Sequence, residues 1–157
     1  MRILVVVHGF PPAAKGGAEI YAHAHARVLK EIFGDEIFVL TREQDPGRAE
    51  YTIRTEAHDG LQIAWVNNTF RNTRSFEDSY RNEAIGAIAT RLIDDFRPDV
   101  AHVHHLTCLS TTIVGALFTS RTRIVSCRRE SCARIVTSPA AVPTRTLTGI
   151  RKAVGVV

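Results

Sequence analysis

Residues 3–19 read Ile3-Leu4-Val5-Val6-Val7-His8-Gly9-Phe10-Pro11-Pro12-Ala13-Ala14-Lys15-Gly16-Gly17-Ala18-Glu19. Five apolar, mostly β-branched residues with no polar alternation suit a strand buried on both faces, as in the middle of a parallel sheet. His8 to Pro12 ends the run in a loop, and Lys15-Gly16-Gly17 closes that loop. From Ala18 to Phe33 the period changes. Tyr21, Ala24, Val28 and Ile32 recur at helical steps, and Gly34 is a natural stop. Glu36–Leu40 is a second short strand. Strand, loop, helix and strand in this order open an α/β fold, a doubly wound, mainly parallel, Rossmann-like sheet.

The rest of the chain continues the theme. Tyr51–Thr55 and Leu61–Val66 read as strands joined through His58-Asp59-Gly60. One long helix is expected over Phe76–Phe96, with Ile85, Ile88, Leu92 and Phe96 on one stripe and Arg97-Pro98 as its end. Val100–His104 is a further buried strand, Thr107–Phe118 a helix, and Ile124–Val125 the start of another strand. Beyond Cys127 no period lasts, and Pro139 and Pro143 interrupt.

Composition divides the chain unevenly. Its 157 residues carry a net charge of +4. Residues 1–120 hold 12 Lys and Arg against 15 Asp and Glu, whereas residues 121–157 hold 8 against Glu130 alone. All 11 aromatic residues lie before residue 119 and all 7 histidines before residue 106. The basic character therefore belongs to the end of the chain. We expect an α/β domain over residues 1–118 and a basic, Ser/Thr/Arg-rich tail over 119–157, poorly ordered or divergent. Its scattered arginines suit a solvated tail better than specific nucleic-acid recognition. Peripheral contact with an anionic membrane remains open to it.

Cys108, Cys127 and Cys132 form neither a disulfide framework nor a Cys-x2-Cys zinc pattern, which points to a reducing, cytoplasmic setting. No stretch approaches the roughly 20 apolar residues of a membrane span. Ile3–Val7 is shorter than the core of a signal peptide.

The chemistry concentrates in the first loop. Glycines before a helix let the backbone approach a ligand, and the helix N-terminus favours a phosphate. The loop is neither Gly-x-Gly-x-x-Gly nor a P-loop, and no Gly-x-Ser-x-Gly elbow occurs. A second cluster is Val100-Ala101-His102-Val103-His104-His105, whose histidines end a strand. His102 and His104 share a face. They could serve as zinc ligands, but no Cys, Asp or Glu lies nearby in sequence, and hydrogen-bonded strand-end histidines are the plainer reading. His23 and His25 diverge by about 200° on a helix and read as surface or packing residues. Phe70, Arg71 and Arg74 read as an exposed aromatic and basic loop.

Ile3 to Pro12, followed by Lys15-Gly16-Gly17-Ala18-Glu19, resembles the opening of glycosyltransferase family 4. More narrowly, it resembles the subfamily 4-like N-terminal domain of GT-B enzymes. Val39-Leu40-Thr41 is similar to the family's second strand, and Phe96 to His105 to its fourth. The likeness covers roughly residues 1–114. It implies the acceptor-side half of a retaining enzyme with a nucleotide-sugar donor and a glycan or lipid acceptor, with no cofactor and no metal. It implies that Gly16 and Gly17 lie against the donor diphosphate across a cleft, and that His104 and His105 line that cleft. Lys15 and Glu19 complete the candidate set: Lys15 toward an anionic group, Glu19 toward an acceptor hydroxyl or the helix dipole. Catalytic residues are not assigned.

The departures are equally specific. The family's next strand leads to a His-Asp pair, but here the matching stretch is Arg123-Ile124-Val125-Ser126-Cys127-Arg128-Arg129-Glu130. The donor-gripping C-terminal domain is not in this sequence, so a truncated or frame-shifted product, inactive alone, is expected. Two other readings stand beside it. One is a non-catalytic α/β remnant. The other is an NAD(P)-binding Rossmann-like protein, disfavoured by the missing glycine fingerprint and by Thr41-Arg42 where an acidic residue would hold the ribose.

Overall fold

The computed structural model describes residues 1–128 and 131–136. In chain order the elements are β1 (Arg2–Val6), α1 (Gly17–Phe33), β2 (Glu36–Glu43), β3 (Ile53–His58), β4 (Leu61–Asn67), a 3-10 turn (Glu77–Ser79), α2 (Glu83–Phe96), β5 (Val100–Val103), α3 (Thr112–Thr119), β6 (Arg123–Arg128) and β7 (Ser131–Val136). Among the described residues seven strands form one sheet in the order β3-β4-β2-β1-β5-β6-β7. Strands β4, β2, β1, β5 and β6 are parallel. The edge strands β3 and β7 run antiparallel to their neighbours. The expected α/β, mainly parallel sheet is present, with β1 in its middle.

The unbroken apolar run of β1 follows from burial on both faces. Leu4 and Val6 point to one side, among Leu40, Ala64, Ala101 and Val103, beneath Ile85, Ile88 and Ile93 of α2 and Ile113 and Leu117 of α3. Ile3, Val5 and Val7 point to the other, among Ile37, Val39, Ile63 and Trp65, beneath Ala22, Ala26 and Leu29 of α1. The small Ala22 and Ala26 let α1 lie close to the sheet. Helix α1 ends at Gly34, in the left-handed region at φ 67°, with its N–H returned to Lys30 O.

Several elements differ from the sequence expectation. The first hairpin strand is Ile53–His58, not Tyr51–Thr55. Tyr51 has φ 62°, and the turn is the two residues Asp59 (φ 49°) and Gly60 (φ 72°), which bring His58 opposite Leu61. The helix expected over Phe76–Phe96 is broken. Asp78 accepts the amides of Arg74 and Ser75 around a single 3-10 turn, and α2 begins only after Asn82, whose side chain accepts from Ile85 N at 3.1 Å. Likewise α3 starts at Thr112 instead of Thr107, because Cys108 has φ 63° and Leu106–Leu109 closes a turn. Strand β5 ends at Val103, although His104 N still donates to Val6 O at 2.9 Å.

The sheet also runs past Phe118. Strand β6 pairs in parallel with β5 from Val100↔Arg123 to Val103↔Ser126, and Ile124 is buried. Residues 137–157, with Pro139, Pro143 and most of the expected basic tail, lie outside the described residues.

Candidate functional site at the carboxyl edge

The chain leaves β1 into α1 on one face of the sheet and leaves β5 toward α3 on the other. Adjacent parallel strands whose continuations diverge in this way open a crevice beyond their carboxyl ends, where ligands of open α/β sheets bind. His8 follows β1 into this crevice, and His104 and His105 follow β5.

Gly16 is the N-cap of α1, at φ −75° and ψ 171°, and no side chain caps the helix there. The first amides of an α-helix have no partner within it. Lys15, Gly16 and Gly17 are exposed. Glu19 folds back beneath the loop and is buried. A Cβ on Gly16 would strike the Glu19 carboxylate, whereas one on Gly17 would meet nothing within 4 Å. His8 Nε2 lies 3.0 Å from Glu19 Oε1, and a carboxylate only accepts, so Nε2 donates. The His8 ring packs at 4.6 Å from the His105 ring. Gly16, Gly17, Glu19 and His105 are thus joined through His8 at one edge, with Lys15 exposed on the same loop.

His104 turns differently. Its ring meets Tyr21 of α1 at 5.5 Å and His25 at 5.8 Å. It also borders a cleft of about 400 Å³ lined by Tyr80, Val103, His104, His105, Leu106, Thr107 and Thr111. A larger hollow, about 490 Å³, lies at the opposite edge of the sheet, beside Arg97, Pro98 and Thr122. It has neither a helix N-terminus nor a histidine.

The electrostatics favour neutral rings. Burial lowers the His8 pKa and outweighs the opposing pull of Glu19. Burial, reinforced by repulsion from His104 and His25, pushes His102 down to about 3, and burial with repulsion from His25 pushes His104 to about 4. Burial lowers His25 as well. At the end of β2, Arg42 is half-buried, which lowers its pKa. It donates to Asn68 O at 2.7 Å and stacks over Phe70 at 4.6 Å.

His8 and Arg42 stand at this edge beyond the residues expected there, and His25, expected as a surface or packing residue, packs against the strand-end histidines. His8 was legible, being the residue that ends the central strand. Arg42 needed β2 to extend to Glu43. His23 and His25 do diverge as expected: His23 bonds Asp59 at 3.0 Å, and His25 turns to the sheet. What the sequence does not show is that His25 meets His102 at 4.5 Å. Arg71, expected on an open loop, is tied to Glu50, Pro46 O and Arg48 O.

These features define a Rossmann-like α/β domain whose carboxyl edge opens at the β1–β5 switch point. A family model described as Glycosyltransferase Family 4 matches residues 15–131, three quarters of the chain, and the chain belongs to that family. Among solved structures, one titled trehalose-6-phosphate from E. coli bound with UDP-2-fluoro glucose shows 13% identity over 79% of this chain, with TM-score 0.42. An alpha,alpha-trehalose-phosphate synthase (UDP-forming) from Burkholderia xenovorans in complex with glucose-6-phosphate shows 16% identity, also over 79% of this chain, with TM-score 0.39. The chain spans about a third of the length of each, 32% in both cases. No curated protein matches it significantly. Among the described residues no helix is long and apolar enough to cross a membrane.

Proposed function

We propose that this chain is the acceptor-side domain of a retaining glycosyltransferase that moves a hexose from a nucleotide sugar to a glycan or lipid acceptor. Membership of the family supports a nucleotide-sugar donor. The observation that carries the reading is the uncapped N-terminus of α1 at Gly16–Gly17, held by Glu19 and His8 against His105 at the sheet's switch point. Exposed amides and a helix dipole there stabilise the charge that grows on a departing diphosphate. Lys15 adds a cation on the same loop. His104 and His105 border the cleft on the β5 side, where an acceptor hydroxyl would enter.

This edge is one wall of a cleft. Holding donor and acceptor in near-attack geometry supplies roughly 7–11 kcal/mol of a barrier, and that needs both walls. The chain by itself therefore binds weakly and transfers nothing. An NAD(P) site is disfavoured further by Glu43. It ends β2, where a ribose-binding acid would stand, but its carboxylate is engaged by Arg54 at 2.6 Å and Arg48 at 3.7 Å.

The test is to supply the purified chain with a panel of UDP- and GDP-sugars and acceptors. No glycosylated product above a protein-free control is expected. Product that disappears on changing Gly16 and His104 would show that this domain is catalytic alone and overturn the half-site reading.

A further inference from the structure

We propose that His25, His102 and His104 form a binding site for a transition-metal dication of the zinc type, clamping α1 to β5 below the carboxyl edge. One ring nitrogen from each residue lies within 4.8 Å of the other two. His102 and His104, two apart on one face of the strand end, stand ring beside ring at 4.1 Å and 26°. His25 comes from α1, about two turns in from Gly17, and meets the two rings edge-on at 90° and 68°.

An independent observation points to an occupant. His25 Nδ1 and His104 Nε2 are buried with no hydrogen-bond partner. A buried polar atom left in this state calls for an explanation, and two of them in one cluster suggest a shared guest. Three imidazoles with no carboxylate among them select a borderline ion and not magnesium or calcium, which take oxygen ligands. Three protein ligands around a tetrahedral ion leave a fourth position for water. At zinc–nitrogen distances the ligand atoms stand about 3.4 Å apart, so the rings must draw together by at most about 1.4 Å. The broad χ2 torsion of histidine allows that. The third ligand is 77 residues from the first strand histidine, so spacing alone hides the site.

The experiment uses the full chain without an affinity tag, stripped with a chelator. Zn²⁺ is titrated against a chromophoric competitor, and Co²⁺ is added separately to read its visible absorption. One ion per chain, a rise in Tm with Zn²⁺ and an intense tetrahedral-type Co²⁺ spectrum are expected. His104→Ala and His25→Gln each weaken Zn²⁺ binding by about tenfold or more, at least what loss of an outer-shell partner costs. His25 and His104 are both half-buried, and His25→Gln, which keeps a polar side chain of similar size, is the second variant that reads the site should His104→Ala fail to fold. The double change His23→Ala and His58→Ala, near Asp59, leaves the affinity unchanged. The proposal is overturned by failure to bind one ion per chain, by unaltered affinity in His25→Gln, or by loss of binding in the His23/His58 variant. Water would then be the guest that satisfies the orphaned nitrogens.

Discussion

His8 and His105 stand ring against ring, 4.6 Å between centroids, although 97 residues separate them. The contact joins the tails of β1 and β5 across the switch point and anchors the loop that opens α1. Through Glu19, His8 reaches under Gly16. The two motifs that stand out in the sequence are therefore one edge of one sheet.

Gly16 and Gly17 should respond differently to the same small change. In Gly16→Ala the new methyl meets the buried Glu19 carboxylate and pushes it from His8. Losing a hydrogen bond to a charged group costs about 1.5–3 kcal/mol. In Gly17→Ala the methyl enters open space, and stability is unchanged or rises by up to about 1 kcal/mol as the unfolded chain loses freedom. Urea denaturation of the two variants beside the parent measures the difference. Gly17→Val should fold normally yet weaken phosphate or nucleotide binding, because its branch stands where a ligand would approach.

Helices α2 and α3 touch where Gly86 faces Thr112, and a Cβ on Gly86 would overlap the threonine hydroxyl. Gly86→Ala should destabilise by about 1–3 kcal/mol, the usual result of overpacking. Adding Thr112→Ala should recover part of the loss. Thermal unfolding of the single and double variants reads this coupling.

Glu50 supplies a pH dependence. Burial alone would raise its pKa, but hydrogen bonds from Thr69 N and Oγ1 and the ion pair with Arg71 win, holding it below its ordinary 4.5. A carboxyl group depressed in the folded state contributes stability above its unfolded pKa and loses it as pH falls through the folded value. Glu50→Gln should therefore be less stable than the parent at pH 7. The gap should close progressively as the pH drops below about 4.5. Denaturation midpoints for both proteins across that range give the curve.

The sequence reveals most where physics is local. Ile3–Val7 and Val100–His104 announce buried strands because neither run offers a solvent face, while Gly34 marks the end of α1 and Asp59-Gly60 the β3–β4 turn, both at positive φ. Residues 76–82 mislead because aromatic and acidic residues at helical spacing mask Asn82, a cap recognisable only once Ile85 N points at it. Strand β6 is faint because a strand of mixed composition beside β5 is specified by its neighbour's backbone. The half of the site on the Gly16–Gly17 loop could be read from glycines preceding a helical period. His25 could not, since its partners lie on β5 and only the packing of α1 brings them together.

In the proposed function, a nucleotide diphosphate meets this domain at the edge formed by Gly16, Gly17, His8 and His105. Amide NMR of the ¹⁵N-labelled chain during titration with UDP reads this contact residue by residue. Saturable shifts are expected at Gly16, Gly17, Ala18, His8 and His105, absent in Gly17→Val while that variant keeps the parent's dispersion and Tm. Shifts confined to the hollow beside Arg97 and Thr122, or shifts at the Gly16–Gly17 edge that survive Gly17→Val undiminished, would contradict it.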